Sequence, residues 1–302
     1  MALLSAISVA TPKPHLGFTV NTLTSKISPL FAGMGGALIL AGILFAGADV
    51  TGVIAASLLG GGGSDVAIET LFTLVVYGTM LLVAAVGAGV CRTTPVIGTR
   101  AGTSLVAGCC IGLCAFLLTL GYAWLAAAVN VGTGKQSFQP LTFLVGLGVV
   151  LLQVTAEEAY FRGWLQPLIA RACGNLGAIV ITAALFALVH VMGGARSALT
   201  LCNLVLGGIW FGILAVRAKG IALPVGAHFA WNTAEQMLFG LDPNPGTGSF
   251  GTFVDLDLYG SALWGGSHEG LNASLAMTIA LIVFIVPVLP GLQRRSDHSG
   301  AR

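Results

Sequence analysis

Five glutamates occur in this chain of 302 residues, and two of them, Glu157 and Glu158, are adjacent inside an apolar run. An ionised carboxylate near the middle of a bilayer costs about 3 kcal/mol or more, and a second one beside it adds repulsion. In a chain with only 8% charged residues, such a pair marks a place for chemistry. Histidine is scarce as well, and two of the five, His190 and His228, lie within apolar segments. Spacing links these residues to others. Glu158 and Arg162 stand four apart, which suits a local ion pair; Phe186 and His190 repeat the interval, as do His228 and Asn232. On a helix each pair shares one face.

A carboxylate and an imidazole holding one water make a general-base pair, and a second imidazole with a nearby amide can donate to a developing oxyanion. Two carboxylates, two imidazoles and an amide therefore suit attack of water on a peptide carbonyl. No serine stands in a nucleophile-elbow context, and no cysteine accompanies these residues in an activated arrangement. Glu157, His190 and His228 could alternatively be zinc ligands, but neither HExxH nor HxxEH occurs. No cofactor is expected, with zinc as the alternative. Plainer readings exist for each residue taken singly. A lone buried histidine is often a packing residue, and a Glu–Arg pair can be a structural clasp. Trp164 and Trp231 read as packing or interface anchors, and His15, His268 and His298 receive no role. Cys109, Cys110 and Cys114 lie in one apolar segment without CxxC spacing and read, with the other three cysteines, as packing residues.

Apolar helices must position this set. The chain is 56% hydrophobic with 43 glycines, and its mean hydropathy is +0.94, values of a polytopic membrane protein. A net charge of +2 without any basic stripe gives no reason to expect nucleic acid as a partner. The expected fold is all-α: a bundle of about eight transmembrane helices near 29–48, 66–90, 103–129, 142–170, 175–192, 199–217, 221–239 and 272–292. The apolar stretch from Ala2 to Ala10 is short and precedes its lysine, so no signal peptide is expected. With the N-terminus inside, Lys13, Lys26, Arg92, Arg100, Arg162, Arg171, Arg217, Lys219, Arg294, Arg295 and Arg302 fall on the cytoplasmic side. Only Lys135 and Arg196 fall outside. That bias puts both termini in the cytoplasm, and the expected location is the plasma membrane of a prokaryote. The chain then divides into an N-terminal cytoplasmic segment (1–28), N-terminal spans (29–140), a catalytic core (141–240), an extracytoplasmic loop (241–271) and a last span with a basic tail (272–302).

Gly174 and Asn175 break the chain between the fourth and fifth spans. Glu157 lies 17 residues before the break and His190 lies 15 after it, so each stands roughly 23–26 Å from the tip of an antiparallel hairpin. The two should come level near the middle of the bilayer. His228 lies nine residues beyond Lys219, roughly 14 Å in, and can reach the same chamber.

At these residues the chain resembles the CAAX protease and bacteriocin-processing (CPBP, or Abi) family of intramembrane endopeptidases, which includes the CAAX prenyl endopeptidases. The family's EExxxR motif, often extended to EExxFRGxL, is similar to Glu157-Glu158-Ala159-Tyr160-Phe161-Arg162-Gly163-Trp164-Leu165. Its FxxxH is matched by Phe186 to His190, and its HxxxN by His228 to Asn232. The stretch from Gly207 to Gly220 also has the family's character, and the resemblance covers about 145–240. It implies that Glu157 and His190 activate water, that His228 and Asn232 form the oxyanion hole, and that Glu158, Arg162 and Phe186 support them. It implies a glutamate-based mechanism, with a metalloendopeptidase as the alternative. The implied partners are a membrane-associated or lipidated protein or peptide substrate and the lipid bilayer itself. Two other functions compete: a non-proteolytic membrane scaffold of the same family, and a proton-coupled transporter, since buried carboxylates and histidines also mark proton relays. A transporter would usually show a repeat in two halves, and nothing in 1–140 corresponds to the polar residues of 157–232.

Overall fold

Inside hydrocarbon every backbone N–H and C=O needs a partner within the protein, and apolar segments meet that demand by forming helices. A computed structural model describes residues 20–60, 63–93, 97–98, 100–132, 138–244, 246 and 248–289, with the backbone alone over 20–27. Most of the N-terminal segment and the basic tail lie outside the described residues, among them Lys13, His15, Arg294, Arg295, His298 and Arg302. Lys135 and the side chain of Lys26 lie outside them too.

The helices are α1 (Val20–Leu59), α2 (Asp65–Val90), α3 (Ala101–Leu125), α4 (Pro140–Glu158), α5 (Gln166–Met192), α6 (Ala198–Ala218), α7 (Ala222–Thr233) and α8 (Leu275–Ile285). Wider, π-helical turns follow α4 at Ala159–Leu165 and α7 at Ala234–Leu238. Two short strands, β1 (Val129–Val131) and β2 (Leu256–Leu258), pair antiparallel with Asn130 opposite Asp257. The all-helical membrane architecture expected from composition is present.

The count differs somewhat from the expected eight or so: among the described residues, five helical stretches are long and apolar enough to cross a membrane, and one of them folds back on itself. The expected fourth and fifth spans form one continuous helical stretch, Pro140–Met192, interrupted only at Gly174. Gly174 has φ 72° and ψ 174°, backbone that a side chain would strain, and the chain doubles back there. Thr182 Oγ1 lies 3.5 Å from Gln166 Oε1, and the rings of Phe161 and Phe186 are 5.4 Å apart. A straight helix would hold the two rings roughly 37 Å apart. The last two expected spans are short. α7 has 12 residues and its π-turn five more, below the ~20 residues a bilayer core requires, and α8 with the turn after it is shorter still.

Three packed groups make the bundle, the smallest of them joining α4 to α7 through Val150, Val154 and Val225. α1, α2 and the α4–α5 hairpin close around Tyr160, Phe161, Trp164 and Leu165. α3, α6, α7 and α8 close around Phe116, Trp210, Trp231 and Leu281. α3 and α7 touch backbone to backbone: a side chain at Gly112 would run into the Ala227 carbonyl, and one at Gly226 into that of Leu105. Such close approach between membrane helices requires small residues, and it fixes the helix that carries His228.

The segment after α7 is an ordered cap. Phe250, Leu256, Leu258 and Leu271 are buried, and the β1–β2 pair ties the cap to the end of α3. Glu269 accepts the backbone N–H groups of Arg196 and Ser197, which satisfies donors at the start of α6. Asn203 donates from Nδ2 to the carbonyls of Asn272 and Ser274, both at 2.9 Å.

Candidate active site

The paired glutamates of the first motif end α4, and the widened turn behind them carries Arg162. Glu158 is fully buried, and its Oε1 accepts from Arg162 Nη1 at 3.1 Å. Arg162 Nη2 donates to the Gly208 carbonyl on α6 at 3.1 Å, and the guanidinium carbon lies 4.8 Å from the Phe186 ring centre and 5.5 Å from that of Phe211. A planar cation held by a carboxylate, a carbonyl and aromatic faces locks α4, α5 and α6 together.

The same Oε1 of Glu158 lies 3.0 Å from His228 Nδ1 on α7. Facing an ionised carboxylate, Nδ1 must donate, so the imidazole is oriented through Glu158 much as Glu158 is held by Arg162. Phe211 stacks on the ring at 4.7 Å between centres. His228 Nε2 then faces Glu157 Oε2, 3.8 Å away. Glu157 is also 3.5 Å from Gln153 Nε2.

His190 occupies the last turn of α5, with Nδ1 2.7 Å from the Phe186 carbonyl oxygen. A carbonyl only accepts, so Nδ1 carries the hydrogen and a neutral ring leaves the lone pair on Nε2. That is the state a general base needs.

Glu157, His190, His228 and Asn232 all line one cavity of about 400 Å³, within the range of small-ligand sites. Phe186 lines it too, while Glu158 and Arg162 stand behind the wall. The cavity reaches Gly193, Gly194 and Ala195 beyond α5, and Asn244, Gly246, His268 and Glu269 of the cap. It therefore runs from the middle of α6, where Gly207 and Phe211 line it, towards the end of the bundle where α5 stops and α6 starts.

Several lining residues escaped the sequence reading: Tyr77, Gln153, Asn203, Glu235, Gln236 and Glu269, with His268 at the rim. Glu235 and Gln236 had a legible signal. They follow Asn232 by three and four residues on the same helix, on the face His228 and Asn232 already mark. The cap residues had none, since loop sequence carries no period. Trp231 also does more than pack: its Nε1 donates to Glu235 Oε2 at 3.1 Å.

Among the described residues, no three His, Cys, Asp or Glu side chains are disposed to hold one metal ion. His228 Nδ1 is committed to Glu158 and His190 Nδ1 faces a carbonyl, so a metal on the alternative set of Glu157, His190 and His228 would be bound through both Nε2 atoms.

Residues 139–234, about a third of the chain, match a protein-family model described as Rce1-like, type II CAAX prenyl endopeptidase. Comparison with curated proteins and with solved structures gives no match. The matched segment runs from the start of α4 to the end of α7 and carries all three motifs. Through residues 139–234, which carry all three motifs, the chain is similar to the Rce1-like type II CAAX prenyl endopeptidases, in support of its resemblance to the CPBP family.

Proposed function

We propose that this protein is a glutamate-type intramembrane endopeptidase, cutting a peptide bond of a membrane-associated or lipidated protein inside the chamber. Glu157 and His190 Nε2 hold and deprotonate the attacking water. His228, its Nδ1–H committed to Glu158, donates from Nε2 to the oxyanion in its doubly protonated form, and Asn232 adds a neutral donor. Glu158 and Arg162 act through His228 by fixing its ring. As the tetrahedral intermediate collapses, the proton taken from water passes to the leaving amine.

The observation that carries this reading is the sharing of one cavity of about 400 Å³ by two histidines with fixed ring orientation, a carboxylate and an amide that makes no hydrogen bond among the described residues. The described basic residues Arg92, Arg100, Arg171, Arg217 and Lys219 lie at the opposite end of the bundle, where Arg171 binds the carbonyls ending α2. With that end cytoplasmic, the chamber opens away from the cytoplasm.

The test is a comparison of membrane-protein termini in cells carrying the parent chain and Glu157→Gln. New termini that vanish with the substitution identify both the activity and its substrates. Identical sets of termini would leave the chain a membrane scaffold.

A further inference from the structure

The stretch from Gly207 to Gly220 has the family's character, yet the chemistry proposed above draws only on its Gly208 carbonyl. Its glycines set the rotation of α6. A side chain at Gly208 would meet the Ala183 backbone on α5, and one at Gly212 would meet Gln166 and Ile179. Small residues four apart let the two helices close on each other there. Leu204, Gly207 and Phe211, spaced as one helical face, then line the chamber.

Phe211 is buried, and its ring stacks on that of His228, with 21° between the planes and 4.7 Å between the centres. The Arg162 guanidinium carbon lies 5.5 Å from the same Phe211 ring centre. The bond from His228 Nδ1 to Glu158, at 3.0 Å, pins one atom of the imidazole. The ring could still pivot about that bond, because the χ2 torsion of histidine is broad and soft. Pivoting would swing Nε2, the atom that meets the oxyanion, out of line. A flat aromatic face at stacking distance blocks that motion, and Phe186, centred 6.3 Å from His228 at 73°, bounds a second side.

Resting on the proteolytic reading above, we infer that Phe211 is a positioning residue of the reaction: it fixes the plane of His228 and so the direction in which Nε2–H meets the developing oxyanion. This demand falls on the transition state, where the negative oxygen forms, and not on the bound substrate. Loss of the aromatic ring therefore lowers kcat and spares KM.

The experiment pairs turnover with a direct signal from the imidazole. Protein labelled with carbon-13 at Cε1 of histidine is reconstituted in zwitterionic nanodiscs, and the line absent from His228→Gln belongs to His228. An aromatic face 4.7 Å from the imidazole centre shifts the attached proton upfield. Phe211→Leu should return that line to the position of an unstacked histidine, and Phe211→Tyr should keep it shifted. With a peptide spanning a site found by the comparison of termini, Phe211→Leu is expected to lower kcat at least ~10-fold with KM within about twofold, as for a misoriented group. Phe211→Tyr should keep most of the rate. An unshifted His228 line in the parent chain, full turnover in Phe211→Leu, or a loss carried by KM alone overturns the inference. Where Phe211→Leu fails to reconstitute, Phe211→Met supplies a ringless side chain of adaptable shape. A parent chain that cuts no peptide defeats the proteolytic reading instead, and the His228 line then decides the stack by itself.

Discussion

Glu158 and Glu157 are chemically identical neighbours with unlike surroundings. One oxygen of Glu158 receives both Arg162 and His228, and its other oxygen has no hydrogen-bond partner among the described residues. Glu157 points into the cavity. Removing one partner of a buried ion pair costs about 3–5 kcal/mol, because the other charge is left uncompensated. Glu158→Gln should therefore lower the Tm by many degrees and also reduce activity, through a misoriented His228. Glu157→Gln should leave the Tm within a degree or two and remove activity. Thermal unfolding of both variants in the same nanodiscs checks this, and equal Tm values would contradict it. The i, i+4 spacing made the Glu158–Arg162 pair legible in the sequence. The bond from Glu158 to His228 was not, because it crosses 70 residues and depends on how α7 packs.

Elements transmit these demands. α7 holds His228 and Asn232, and the glycine contacts of α3 against α7 set its height and rotation. Gly226→Leu should drive the two helices apart, costing on the order of 3 kcal/mol by overpacking and most of the activity. Near-wild-type turnover in that variant would show that the α7 position tolerates slippage. The cap should lose stability in acid. Burial alone would raise the Glu269 carboxyl, but bonds from Thr200, Ser197 and Arg196, with His268 close by, together hold it below its ordinary value. A depressed folded-state pKa gives stability that is present above the unfolded value near 4.3 and is lost as pH falls through the folded one. The protection factors against hydrogen exchange across 261–274 should fall as pH is taken below ~4. In Glu269→Gln the protection should already be low at neutral pH; pH-independent protection factors in the parent chain would contradict this. The helices themselves were readable from apolar runs and the hairpin from Gly174-Asn175. The π-turns, one inside the first motif and one just after the third, were not, since one extra residue per turn leaves no compositional trace.

At the scale of the molecule, the bundle is a scaffold of apolar helices around a polar chamber that extends towards one end, capped by a segment that sequence alone presents as a featureless loop. The span count went astray for the same reason the site was findable. Hydropathy registers apolar length, whereas α7 is shortened and interrupted where it serves the chamber. The most direct test of hydrolysis led by Glu157 without metal uses purified, reconstituted protein and a substrate taken from the termini comparison. Cleavage is followed by mass spectrometry of the product ends, and bound zinc is quantified in the same preparations before and after exhaustive chelation. The expected result is unchanged cleavage after chelation, no stoichiometric zinc, and a loss of at least ~100-fold in Glu157→Gln, in line with removal of a general base. Stoichiometric zinc that is lost together with activity, and activity restored by adding zinc back, would contradict it and make Glu157, His190 and His228 ligands.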